Sequence, residues 1–183
     1  DPSRLLATLR SRCMTLHLTP PDEGQSLLWL KKQSSHDEQM LLAALRLSAG
    51  APGAALSLLE NGPWQARQKL CDALPAALQQ DILQLLPALN ADDAAARIGW
   101  LLSLLLDAMK WQQNAGQWLS NIDRQDVVQL LAGYFSASAL NSSTLAWMRC
   151  REQLLHVASV NRELLLTDQL LSWADKQKPA LVG

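Results

Sequence analysis

Phenylalanine and tyrosine occur once each in this chain, and all aromatic residues together make up 5 % of it. With Leu and Ala used heavily in their place, the composition favours helix over sheet and an all-α fold. An excess of either charge is also missing: 16 basic residues face 17 acidic ones, for a net charge of −1. Neither side of Pro63 carries the basic surplus of a domain that grips nucleic acid by its phosphates, so direct nucleic-acid binding is disfavoured. The three cysteines, Cys13, Cys71 and Cys150, are odd in number, far apart and without CxxC or Cys/His spacing. That indicates neither a disulfide framework nor a zinc site and suits a reducing, cytoplasmic setting. Long apolar runs are lacking too. The most apolar stretch, "WLLSLLLDAM" at 100–109, is far shorter than a bilayer requires and contains Asp107, so neither a membrane span nor a signal peptide is expected.

The usual marks of catalysis are absent as well. No GxxxxGK[ST] occurs, so phosphate-loop ATP binding is not expected here, and no cofactor site is expected either. His17, His36 and His156 have no partner at metal-ligand spacing. No serine or cysteine comes with a base and an orienting acid. The carboxylate pairs Asp22-Glu23, Asp37-Glu38 and Asp92-Asp93 fall at expected helix N-termini, where the helix dipole accounts for them. The seven tryptophans, at 29, 64, 100, 111, 118, 147 and 173, are not interleaved with Lys or Arg, and core packing is expected of them.

What is present is helical signal. Asp1 and Pro2 suit a helix start, with Leu5, Leu6 and Leu9 on one face and Arg10 and Arg12 at the C-terminal end. Met14, Leu16 and Leu18 then alternate with Thr15, His17 and Thr19, the period of a half-buried strand that stops at Pro20-Pro21. Three short helices follow. The first buries Leu27, Leu28 and Leu30. The second opens on a capping box of Ser35 and Glu38 and closes at Gly50, and the third begins near Pro52. "NGP" at 61–63 breaks the pattern and marks a domain boundary. Beyond it helices are predicted near 63–74, 76–90, 92–114, 123–135, 142–158 and 161–177, with turns at Pro75 and in "SASALNSS". No fixed-length repeat is visible, so a compact bundle is the economical reading. The helix at 92–114 has almost no polar face between Trp100 and Met109, which calls for a central position or a partner.

Arg10 and Arg12 around Ser11 are readable as two exposed cations at a helix end. The same string, "RLLATLRSRC", followed by alternating residues and "PP", also resembles the Ser-Arg-Cys motif of clamp-loader AAA+ subunits, here Ser11, Arg12 and Cys13. The later segments agree with a three-helix lid, its last two helices joined through "LRLSAGAPGAALSLL", and a helical collar ending in "NRELLLTDQLLSW". Together they resemble, over essentially the whole chain, the delta-prime family of bacterial DNA polymerase III. Opening on Asp1 rather than methionine, the chain is expected to be a piece of something longer.

The resemblance implies a fold and a role. Residues 1–20 would be the end of an AAA+ core, 21–61 the helical lid and 62–183 a collar used for oligomerisation. Arg12 would be an arginine finger acting on the ATP of a neighbouring subunit, with Ser11 and Cys13 supporting it and Cys13 as a small buried anchor. Where ATP-hydrolysing relatives carry Gly-Ser-x-Arg-Asp, this chain has Gly50, Ala51, Pro52, Gly53 and Ala54. With Gly53 at the arginine's place the nucleotide sensor is missing, which implies a non-hydrolysing member. The implied partners are the motor (gamma/tau) and delta subunits through the collar, then the sliding clamp and primed DNA through the complex. The setting would be DNA replication in the bacterial cytoplasm, within a DNA-directed DNA polymerase holoenzyme. The competing reading is a free-standing helical adaptor with no ATP role, in which Arg12 is a surface cation.

Overall fold

The computed structural model describes residues 6–14, 19, 21–157 and 159–176. Among the described residues the regular elements are ten α-helices and three short 3₁₀ turns, and no strand occurs. Residues 15–18, most of the strand expected over Met14–Thr19, and Asp1, the expected cap of the first helix, lie outside the described residues.

Helix α1 (Ala7–Arg10) is a single turn in which Leu9, like Leu6 just before it, is exposed rather than packed. Helices α2 (Glu23–Gln33), α3 (Glu38–Leu47) and α4 (Pro52–Leu59) form a small unit of their own. Asp22 caps α2 by accepting from the Gln25 amide at 2.7 Å, and Asp37 caps α3 by accepting from Met40 at 3.0 Å. The cap of α3 is therefore Asp37 and not Ser35. An aspartate one residue before Glu38 reaches the free amides of the first turn directly, and Glu38 pairs instead with Lys31. Leu30, Leu41, Ala44, Leu45, Ala55 and Leu59 make the core of this unit. Leu28, expected to be buried, is 63 % exposed, because α2 presents one narrow face of which Leu30 is the centre.

Helix α3 ends in a double capping arrangement. Gly50 N–H donates to Leu45 O at 2.9 Å and Ala49 N–H to Arg46 O at 3.2 Å, with Ala49 at φ 51° and Gly50 at φ 80°. The left-handed cap expected of Gly50 thus involves two successive residues, one of them an alanine.

Helix α5 (Asn61–Gln79) runs straight through Pro75, where a break was predicted. Proline there removes one backbone donor. Burial of Leu70, Cys71, Leu74, Ala77 and Leu78 along one face holds the helix together across it. A 3₁₀ turn (Ile82–Leu85) and the short α6 (Leu86–Leu89) follow, in place of a second long helix. Helix α7 (Ala94–Gln112) packs between α8 (Gln125–Tyr134) and α9 (Ala137–His156), and α10 (Arg162–Ala174) closes the bundle. Helix α9 begins five residues before its predicted start. Ser136 Oγ accepts from the Ala139 amide at 3.2 Å, and the polar "SASALNSS" forms the first turns of the helix rather than a loop.

The apolar stretch of α7 is covered within the chain: Leu101, Leu102, Leu104, Leu105 and Ala108 are all buried, and Leu106 alone of this set is substantially exposed. Its central place answers the need for cover that its sequence raised. Trp147 and Trp173 meet edge-on at 5.7 Å, and Phe135 stacks on Trp173 at 5.4 Å. Trp64 is also buried, whereas Trp29, Trp111 and Trp118 are exposed, so core packing accounts for only part of the tryptophan set. No single described helix is long and apolar enough to cross a membrane.

Candidate functional site

Ser11, Arg12 and Cys13 form the turn that ends α1. The Arg12 amide donates to Leu9 O at 3.1 Å and Ser11 Oγ to Thr8 O at 3.2 Å, which closes the backbone and leaves the arginine outside it. All three residues are exposed. Arg12 forms no side-chain hydrogen bond or ion pair among the described residues. Cys13 is exposed, not the buried anchor expected of it, because a one-turn helix offers no apolar cover at its end.

At the other predicted position, Gly53 lies in the first turn of α4 with open space around its Cα. The nearest arginine in sequence, Arg46, is already engaged. Its Nε and NH2 bind both carboxylate oxygens of Glu23, at 2.9 and 3.0 Å, and its NH1 donates to Leu119 O at 2.7 Å. The Arg46 hydrogen bonds hold the Glu23 carboxyl below its ordinary value.

The acidic pairs are spent on structure. Asp22 and Asp37 cap helices, Asp92 meets Arg162 at 3.1 Å, and Asp93 meets Arg97 at 2.6 Å. His156 pairs with Glu152 on the surface of α9, and His36 is exposed ahead of α3. His17 lies outside the described residues. Among the described residues no three His, Cys, Asp or Glu side chains gather closely enough to hold a metal ion.

A second constellation joins the α2–α4 unit to the bundle. Arg67 of α5, fully buried, donates to both oxygens of Asp123 at 2.7 and 2.9 Å and to Asn121 Oδ1 at 2.9 Å. Its guanidinium carbon stands 4.6 Å from the ring centre of Trp64, a cation–π stack. Trp64 in turn belongs to the core of the α2–α4 unit. Sequence reading passed over this set. Two signals pointed to it: Arg67 shares the helical face of Leu70, Leu74 and Leu78, and Asp107 interrupts an apolar run. A charge on a buried face requires a partner.

A family profile described as "DNA polymerase III, delta subunit, C terminal" matches residues 61–175. A second, described as "DNA polymerase III subunit delta', AAA+ ATPase lid domain", matches residues 21–60. The chain is 51 % identical over 179 residues to a DNA polymerase III subunit delta' from Yersinia pestis, covering 94 % of this chain and 53 % of that protein. It is 45 % identical over 183 residues to the subunit of the same name from Escherichia coli K12, covering 100 % of this chain and 54 % of that one. A Pseudomonas aeruginosa counterpart is 29 % identical over 184 residues, covering 98 % of the chain and 56 % of the relative. The chain therefore spans about half the length of the curated relatives it matches.

Proposed function

The chain belongs to the delta-prime family of DNA polymerase III subunits, and from that premise we propose that it serves a clamp loader by lending Arg12 to the ATP site of a neighbouring subunit. In this reading residues 1–20 end an AAA+ core, 21–61 are its lid and 62–183 a collar that assembles with the motor (gamma/tau) and delta subunits. The complex places a sliding clamp on primed DNA during replication in the cytoplasm.

The observation that carries the proposal is the exposed Arg12 at the end of the α1 turn, without a side-chain partner among the described residues and ahead of the lid-like segment. A guanidinium stays charged at all working pH values and can fork onto two phosphate oxygens. Placed against the transferring phosphoryl group, it stabilises the charge that develops there. Arginine fingers contribute on the order of 10³ to 10⁵ in rate. The attacking water, the metal and the nucleotide all belong to the neighbour's site, so the chain needs no cofactor for this task.

Gly53 supports the further reading that the subunit does not hydrolyse ATP itself. Glycine has no group to reach a phosphate, and Arg46, seven residues earlier, is held by Glu23 and the Leu119 carbonyl.

The test is Arg12→Ala in the full-length subunit, reconstituted with the motor and delta subunits, clamp and primed DNA. Sedimentation should find the complex intact, while DNA-stimulated ATP turnover falls by the share of the interface that Arg12 serves. Unchanged turnover in an intact complex overturns the finger assignment. Loss of the complex itself would move Arg12 from catalysis to assembly.

A further inference from the structure

Asp107 sits in the middle of α7 with its side chain 1 % exposed, a carboxylate inside an apolar bundle. Its Oδ1 accepts from Lys110 Nζ at 2.8 Å. Its Oδ2 gathers three donors from one segment: the Ser120 amide at 2.8 Å, the Asn121 amide at 2.7 Å and Asn121 Nδ2 at 2.8 Å. That segment, residues 113–124, is the connection between α7 and α8 and lies across the junction of the α2–α4 unit and the bundle.

The orientation of Asn121 follows from its neighbours. Asp107 can only accept and Arg67 can only donate, so the amide nitrogen faces the first and the oxygen faces the second, 2.9 Å from Arg67 NH2. An asparagine has a donor end and an acceptor end in one rigid plane, which an aspartate at the same place lacks. Arg67, thus held, lies over Trp64 in the core of the α2–α4 unit. Two residues away, the Leu119 carbonyl accepts from Arg46 of α3, and Ile122 packs against both cores. The connection touches the smaller unit by hydrogen bond, by ring stacking through Arg67 and by apolar contact, and all three depend on a backbone shape that Asp107 holds from the other side.

We infer that Asp107, although it belongs to the bundle, is the positioning residue that seats the α2–α4 unit, acting through Asn121, Arg67 and the 113–124 connection. The inference stands apart from any role in ATP chemistry. It requires that the two ends of the chain of contacts be energetically coupled.

Hydrogen exchange of the full-length protein, read peptide by peptide, supplies the test. Asp107→Asn keeps the shape but removes the charge and one acceptor oxygen, leaving an NH2 to face either Lys110 Nζ or the donors of the connection. It is expected to speed exchange in residues 116–124 and in α3 about tenfold or more, the scale of one lost charged hydrogen bond. Peptides of α9 and α10 should keep their rates. Unmodified rates in the connection and α3 overturn the inference, as does equal acceleration everywhere, which is a plain loss of global stability. Should Asp107→Asn fail to fold, Arg46→Met approaches from the other end and releases the Leu119 carbonyl. It should speed exchange in residues 116–124 and spare α9 and α10. A connection unmoved by Arg46→Met also overturns the inference.

Discussion

Cys13, Cys71 and Cys150 carry the same thiol in three different environments. Burial raises the Cys71 thiol and pushes Cys150 up to about 11, whereas Cys13 is exposed on the turn beside Arg12. A thiol-specific reagent at pH 8 should therefore label Cys13 alone among the three in the native protein, with Cys71 and Cys150 reacting only after unfolding in urea. Labelling of Cys150 at the rate of Cys13 would contradict its burial. At this scale the sequence was a partial guide. Arg12 stood out because its motif is a local string, and the exposure of that string is a local matter as well. Asp107, Arg67 and Asn121 did not stand out, because the significance of each lies in partners 14 to 56 residues away. A lone aspartate in an apolar run signals that some partner exists but not which one.

Between α3 and α4 the chain turns on Ala49 at φ 51° and Gly50 at φ 80°, and only one of the two lacks a Cβ. The left-handed region costs an alanine roughly 1 kcal/mol relative to glycine. Ala49→Gly should stabilise the protein by up to about 1 kcal/mol, and Gly50→Ala should destabilise it by a similar amount although its new Cβ would meet nothing within 4 Å. Urea unfolding of the two variants checks both signs, and a loss of stability in Ala49→Gly would refute the account. Helix existence was legible for α2–α5 and α7–α10, because apolar periodicity and caps are short-range signals. The long helix predicted over 76–90 is instead divided between the end of α5, a 3₁₀ turn and the short α6. Helix limits were less so. Pro75 stays inside α5, since the buried face around it outweighs one missing donor. The serines before α9 form its first turns because Ser136 supplies the cap that the polar run had suggested was a loop.

The two packed units meet through Arg46, Arg67 and Trp64, and that junction responds to pH in one place that can be named. Arg46 lowers the Glu23 carboxyl below its ordinary value of 4.5, so the pair adds stability above about pH 4.5 that is lost as pH falls through the lowered value. The gap in stability between the protein and Glu23→Gln should be full at pH 7 and close below pH 4.5, as read by urea midpoints at a series of pH values. Glu23 is half exposed, so the gap is expected to be small. A gap that persists undiminished at low pH would refute the linkage. Taken as a molecule, the chain's all-α class, its helices and its Ser11-Arg12-Cys13 string were determined by the sequence alone, because composition, periodicity and short motifs act over a few residues. The seating of the α2–α4 unit on the bundle was decided only by the tertiary structure. It depends on a carboxylate in α7, an amide in the 113–124 connection and a guanidinium in α5 arriving within hydrogen-bond reach, and no local pattern records which distant charges will share one buried site.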